Sequence, residues 1–244
     1  DLVNHCVNDI AVSGARPLFF LDYFSTGELD PEVAEAVITG FARACRANEC
    51  ALVGGEIAEM PDLYDAGDFD VAGTVVGLVD REEIVDGTEI REGDVLLGLR
   101  SNGIHTNGFT LTRTVLFEHY GVDDAVPELD GRVLGDELLR VHRSYLGPIQ
   151  RLCRLDGVNG FAHVTGGGIA ANTNRILPEH CSIEIDWNAW QRPPIFDLVQ
   201  DLGSVPEDDM RRTFNLGVGL VIVVRPDRVE EVQDRLEGEE AFPI

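Results

Sequence analysis

Two glycine-punctuated loops carry residue types that could do chemistry. Ser101-Asn102-Gly103-Ile104-His105-Thr106-Asn107-Gly108 follows the apolar run 94–99 and precedes helical spacing at Leu111, Val115, Leu116 and His119. A polar loop between a strand end and a helix start gathers open backbone N–H groups, a hydroxyl, an amide and an imidazole around one point. Such a point suits an anion, above all a phosphate. The same residues also read as a helix-capping turn with a surface histidine. His163-Val164-Thr165-Gly166-Gly167-Gly168-Ile169 repeats the arrangement after Gly160-Phe161-Ala162, leading into a helix expected over 169–177 and stopped by Pro178. Three successive glycines let backbone approach a ligand and allow positive φ, at a cost in chain entropy. Two such loops, each with a histidine, point to a ligand with more than one phosphate. His163 itself reads equally as a site residue or as a core histidine bonded to backbone.

Carboxylates supply the second chemistry. In Leu52-Val53-Gly54-Gly55-Glu56-Ile57-Ala58-Glu59-Met60-Pro61, Glu56 stands at the expected end of a short strand over 51–53. In Asn4-His5-Cys6-Val7-Asn8-Asp9-Ile10, Asp9 falls within the helical pattern Leu2, Val3, Cys6, Ile10. A carboxylate there is costly unless paired or metal-bound. Asp9 and Glu56 together make a pair for a hard cation of the kind that accompanies nucleotide phosphates. The alternatives are a polar helix face for Asp9 and a solvated turn for Glu56.

The elements that must position these groups follow from pattern. Asp30-Pro31 opens a helix with apolar Val33, Ala36, Val37, Gly40, Phe41 and Ala44. Residues 69–79 form a long strand of small residues. The charged stretch 80–93, with Asp86-Gly87 and Glu92-Gly93, marks a boundary between domains 1–84 and 85–244. Beyond it come a strand over 94–99, an acidic, solvated and mobile loop over 121–135, and a helix over 145–155. A strand over 182–186, a helix from Pro194 to 202, a strand over 216–224 and an amphipathic helix over 227–236 complete the chain. Trp187 and Trp190 read as packing anchors. Strands and helices alternate without a repeated parallel unit, which indicates an α+β protein in two domains.

A net charge of −25 argues against a nucleic-acid partner, whose phosphates would be repelled. All 19 basic residues are Arg and none is Lys. An acidic, Lys-free surface fits adaptation to high salt, where screening relieves self-repulsion, and fits a GC-rich coding bias as well. No apolar run reaches membrane-spanning length. Five cysteines without a CxxC pair make neither a zinc site nor a disulfide framework and fit a reducing cytoplasm. Cys6 and Cys45 read as small core residues. His5, His119, His142 and His180 read as structural or surface residues.

In order along the chain, several runs resemble one family: aminoimidazole ribonucleotide synthetase, the phosphoribosylformylglycinamidine cyclo-ligase of purine biosynthesis. They are Cys6-Val7-Asn8-Asp9-Ile10, Pro17-Leu18-Phe19-Phe20-Leu21-Asp22-Tyr23, Gly54-Gly55-Glu56-Ile57-Ala58-Glu59-Met60-Pro61, His105-Thr106-Asn107-Gly108-Phe109, His163-Val164-Thr165-Gly166-Gly167-Gly168 and Arg212-Thr213-Phe214-Asn215-Leu216-Gly217-Val218-Gly219. Single motifs would indicate only the wider PurM-like ATPase superfamily. The second and third runs point to this member. The resemblance implies a partial N-terminal PurM-like domain that dimerises through its strands, with 69–79 the candidate interface strand, and a C-terminal α/β-sandwich PurM-like domain. It also implies an internal portion of the enzyme, without the family's earlier Gly-rich lysine segment and Asp-Gly-Val-Gly-Thr-Lys motif and without its last strand, so that an inactive fragment is one alternative for the chain alone. The family's Asn-Ile-Pro-Arg is Asn172-Thr173-Asn174-Arg175 here, which loosens a backbone constraint and keeps Asn172 and Arg175.

The implied reaction is ATP-dependent closure of formylglycinamidine ribonucleotide to aminoimidazole ribonucleotide, ADP and phosphate. ATP and Mg²⁺ are the implied nucleotide and metal, and a cytoplasmic homodimer without nucleic-acid or membrane partners is the implied setting. His105 and Asp9 are the expected catalytic residues. His105 serves in acid/base work or iminophosphate stabilisation, or else binds substrate phosphate without proton transfer. Asp9 and Glu56 are the expected metal ligands; Asn8, Asp22 and Glu56 lie on the nucleotide side. Asn107, Gly108, Thr165, Gly166, Gly167, Gly168 and Arg175 hold the ribonucleotide. The other readings are a selenophosphate, thiamine-phosphate or hydrogenase-maturation type of superfamily enzyme, and a non-catalytic nucleotide-binding subunit or fragment.

Overall fold

Asp30 and Pro31 start a helix for a local reason. The Asp30 carboxylate accepts the N–H groups of Glu32 and Val33, and Pro31 needs no donor there. Such local signals build a chain that the computed structural model describes at residues 1–236 and 238–244. It divides into two units, 1–84 with 144–146, and 85–143 with 147–244.

In the first unit, α1 (Leu2–Ala11) buries Val3, Val7 and Ala11 along one stripe. β1 (Arg16–Thr26) leads to α2 (Pro31–Ala47), which carries the chain over to β2 (Ala51–Glu59), parallel to β1. Parallel pairing requires such a crossover. β3 (Phe69–Leu78) pairs antiparallel on the other edge of β1, giving the order β2-β1-β3. Phe20, Asp22 and Phe24 share one face with Val71, Gly73 and Val75 across the ladder. Phe20 lies over Gly73, where a Cβ would sit 2.1 Å from the ring. Ile10 of α1 meets this same face at Gly77. On the other face Leu21, Val76 and Leu78 are exposed.

One expectation fails here. The Gly54-Gly55-Glu56 run does not end a strand at residue 53; β2 continues to Glu59. A Cβ on Gly55 would lie 1.7 Å from the Asp22 carbonyl oxygen, so the glycine permits close strand approach rather than a turn.

In the second unit, β4 (Val95–Arg100) is followed by α3 (Phe109–Leu116). The expected solvated loop over 121–135 is instead anchored. It forms the short pair β5 (Ala125–Val126) and β6 (Arg132–Val133), then α4 (Leu134–Leu138), and Val126, Leu129 and Leu134 are fully buried. α5 (Leu146–Leu152), β7 (Val158–His163), α6 (Gly168–Asn174), α7 (Pro194–Gly203), α8 (Glu207–Thr213), β8 (Val218–Val224), α9 (Val229–Arg235) and β9 (Ala241–Pro243) follow. The sheet is antiparallel in the order β7-β8-β4-β9, with every residue of β8 buried. Leu116, Phe196, Phe214 and Leu216 belong to the core beneath α3 and α7. Residues 182–186 alternate in burial but form no strand. Among the described residues no helix is long and apolar enough to cross a membrane.

Candidate functional site

The 101–108 loop is held from beneath by one side chain. Asn215 Oδ1 accepts from Ser101 Oγ at 2.7 Å and from the Gly217 N–H at 2.8 Å. Its Nδ2 donates to the carbonyls of Gly103 and Ile104 at 3.0 and 3.1 Å. This staple holds His105 with φ at 64°, a left-handed backbone that a bulky residue adopts only where its surroundings dictate it. His105 is buried, and its Nε2 lies 2.9 Å from Asn102 Oδ1. Gly108 then caps α3 with φ at 88°, its Cα against the Phe214 ring. An open depression of about 600 Å³ at this helix start is lined by Thr106, Asn107, Gly108, Thr110, Thr114 and Thr213 together with the apolar side chains of Phe109 and Leu111. Backbone donors and hydroxyls together suit an anion.

The second loop has its own asparagine. Asn172 Nδ2 donates to the Gly168 carbonyl at 2.8 Å and reaches those of Thr165 and Gly166, while its Oδ1 accepts from Thr165 Oγ1 at 3.2 Å. Gly167 and Gly168 have φ at 101° and 70°, and the Gly167 N–H donates to the Arg212 carbonyl at 3.0 Å. A Cβ on Gly168 would lie 1.8 Å from the Arg211 carbonyl oxygen. The loop therefore rests on α8. That helix is fixed in turn by Glu207, which binds Arg192, Gln200 and Arg211. The Arg192 guanidinium above all holds the Glu207 carboxyl down at about 2.

The two loops meet. Asn107 Oδ1 is 3.1 Å from where a Cβ of Gly166 would be. The structure thus brings Asn107, Gly108, Thr165, Gly166 and Gly167 to one place, with His105 and His163 buried behind them. His163 bonds to His142, across facing Nε2 atoms 2.9 Å apart. His142 is fully buried, which removes the surface half of its structural-or-surface reading, and it is a site neighbour that sequence reasoning missed. Arg175 is not brought in. It is exposed at the C-terminal end of α6, about 10 Å along the axis from Gly168.

The carboxylates of the first unit are dispersed. Asp9 is exposed and pairs with His5 Nε2 at 3.4 Å, one helical turn away. Glu56 is exposed on β2, its Oε1 accepting the Ile57 N–H at 3.0 Å. In register, Glu56 faces Tyr23 and Gly55 faces Asp22, so alternation points Glu56 away from the face that α1 covers. Each carboxylate of the expected Asp9–Glu56 cation pair thus has a local partner of its own. Among the described residues no three His, Cys, Asp or Glu side chains gather as a metal cage.

Asn8, expected beside a nucleotide, has no exposed surface, and its Oδ1 accepts the Tyr145 N–H at 2.7 Å. It secures residues 144–146 instead. Asp22 is buried on the helix-covered face. Burial, together with Cys50 and then Asp22, pushes the Cys45 thiol up to about 12, an unreactive core group. Trp190 packs as expected, its Nε1 donating to the Leu216 carbonyl at 2.8 Å.

Comparison with known proteins fits this geometry. The family described as AIR synthase related protein, N-terminal domain, matches residues 1–79, and its C-terminal-domain counterpart matches residues 91–244. The phosphoribosylformylglycinamidine cyclo-ligase of Syntrophotalea carbinolica is 49% identical over 248 residues, covering all of this chain and 71% of that protein. The enzyme of the same name from Thermoanaerobacter pseudethanolicus is 48% identical, covering all of this chain and 73% of its own. Among solved structures, HypE of E. coli, a hydrogenase maturation protein, gives a TM-score of 0.70 at 24% identity over 100% of this chain and 71% of that one. Thiamine monophosphate kinase from Aquifex aeolicus gives 0.65 at 16% identity over 93% and 71%. Those two likenesses are of fold. The full-length identity to named relatives and the paired domain matches carry more: the chain belongs to the phosphoribosylformylglycinamidine cyclo-ligase family.

Proposed function

We propose that this protein is a ligase of purine biosynthesis that closes formylglycinamidine ribonucleotide to aminoimidazole ribonucleotide at the expense of ATP. The observation that carries this reading is the meeting of the two phosphate-type loops at Asn107 and Gly166, with two imidazoles buried behind them. Backbone N–H groups and hydroxyls there hold the ribonucleotide phosphate. ATP phosphorylates the formamide oxygen, releasing ADP. The amidine nitrogen then attacks the carbon so activated, phosphate leaves with the oxygen, and the ring nitrogen gives up a proton. His105 is the residue proposed to donate toward that oxygen or take up that proton.

ATP is taken as its magnesium complex. With Asp9 and Glu56 apart, phosphates and water supply most of the cation's ligands and one exposed carboxylate completes them, an arrangement magnesium commonly accepts. Asp9 and Glu56 are the candidates for that single contact. Asp22, buried on the covered face, is proposed only as the strand residue that sets the neighbouring backbone.

A homodimer is part of the reading. The outer sheet face exposes Leu21, Val76 and Leu78, and β3 pairs on one edge only among the described residues. A second copy covering this face would remove apolar surface and an open strand edge from water.

Calorimetric titration with the ribonucleotide, and separately with MgATP, in molar salt tests the proposal. Ribonucleotide binding that is lost on disturbing Asn107 supports it; binding of neither ligand to the whole gene product overturns it. The Lys-free charge of −25 further supports salt adaptation. The melting temperature is expected to climb steeply from low to molar salt, and equal stability in both would end that idea.

A further inference from the structure

His142 belongs to neither loop and has no part in the reaction as proposed, yet it is fully buried between their two histidines. Its ring stacks on His105 with centroids 4.0 Å apart and planes 23° apart. Its Nε2 faces His163 Nε2 at 2.9 Å, and its Nδ1 meets Thr106 Oγ1 at 3.2 Å. A neutral imidazole carries one N–H, so across the facing Nε2 atoms one ring donates and the other accepts. Two protonated rings would aim two N–H groups at each other over that distance. A cation on His105 would stand directly against one on His142, and burial makes both unfavourable.

We propose that His142 is a positioning residue: it fixes which nitrogen of His163 bears the hydrogen, and it restricts His105, His142 and His163 to one positive charge among them. The charged groups on its own segment are Arg140, held by Glu137, and Arg143, which binds Glu239 and donates to the Arg100 carbonyl at 2.8 Å. The titratable groups facing it from the 101–108 loop and from β7 are His105 and His163. His105 opens the Asn107-Gly108 turn and His163 opens the triple-glycine loop. A proton gained at one loop therefore lowers the affinity of the other for a proton. Any effect on turnover rests on the cyclo-ligase reading; the coupling of the rings does not.

The test is ¹⁵N-imidazole NMR of the unliganded protein across roughly pH 5 to 9, the range in which histidines titrate. In the wild type, one tautomer of His163 should dominate, and no two rings of the stack should be charged together within this range. His142→Phe keeps the ring stack and removes both nitrogens. In it His163 should show mixed tautomers. His142→Gln places an amide where Nε2 was and should restore the single tautomer. The acid limb of the rate profile should move in His142→Phe and return in His142→Gln. Two rings of the stack charged together within this range in the wild type, or a His163 spectrum unchanged in His142→Phe, would overturn the proposal. Coupled rings without cyclo-ligase turnover would refute the functional reading alone. Turnover with uncoupled rings would refute this inference alone.

Discussion

The two ligand loops solve one problem by different means. Each turns the chain from a strand into a helix, and each is held by the amide of a buried asparagine, Asn215 for the first and Asn172 for the second. The first loop reaches its shape by forcing a histidine to φ 64°; the second reaches it with glycines at φ 101° and 70°. The first thus sets an imidazole on the left-handed residue itself. The second keeps the backbone bare and leaves its histidine below, at the end of β7. The difference teaches that one loop turns on a buried imidazole-bearing residue, and the other on bare backbone whose Gly167 and Gly168 N–H groups are taken by the Arg212 and Thr165 carbonyls.

That contrast can be broken by substitution, with unequal effects. His105→Ala should cut turnover by about 10²–10⁴-fold with little change in ribonucleotide affinity, as the role proposed for that side chain requires. Steady-state rates alongside calorimetry would decide, and surviving turnover would move that role elsewhere. Gly168→Ala should destabilise by about 3 kcal/mol or more, because its methyl would meet the Arg211 carbonyl from a left-handed backbone. Urea unfolding measures this, and a loss below about 1 kcal/mol would show that the loop can shift on α8. Asn215→Ala should cost about 2–4 kcal/mol, since it strands buried partners on four residues. Thermal melts would show it, and the first loop should then lose its anion affinity before the second does.

The smallest effect is expected from acid. Glu207 has its folded value held near 2, below the ordinary 4.5, by Arg192 first. Its contribution is therefore complete above pH ~4.5 and is lost as pH falls through the folded value. Because the triple-glycine loop rests on α8, hydrogen exchange in that loop, taken relative to the intrinsic rate at each pH, should rise between about pH 4.5 and 2.5 in the wild type. In Glu207→Gln it should be high already at neutral pH. Equal exchange in both proteins would mean that α8 supports the loop without Glu207.

Much of this was legible in local sequence. Asp30-Pro31 starts a helix, residues 69–78 form a long strand, and the apolar run at 218–224 is the buried centre of its sheet. These features declare themselves through neighbours a few positions away. The two loops were legible for the same reason, since glycines and a following helical stripe lie side by side in the chain. What escaped depends on partners far off. Asn215 acts on residues more than 110 positions away, and His142 gains its meaning from His105 and His163. Gly54-Gly55 looks like a turn because nothing local reveals the Asp22 backbone pressed against it. The alternation over 182–186 suggests a strand, but a strand needs an edge to pair with, and periodicity does not supply one. The acidic residues of 121–135 hide the anchors Val126, Leu129 and Leu134, which a charge count overlooks.

Residues 144–146 complete the first unit, with the Tyr145 N–H on Asn8 and Ser144 Oγ donating to Asn48 Oδ1 at 2.6 Å. On the ribosome this imposes a wait. Chain synthesis proceeds at roughly 5–20 residues per second, so about 3–12 s separate the emergence of residue 84 from that of residue 146. Through that interval the buried amides of Asn8 and Asn48 lack their final partners. The N-terminal sheet is born first but finished late, and its early life is the period in which a nascent-chain chaperone would have most to protect.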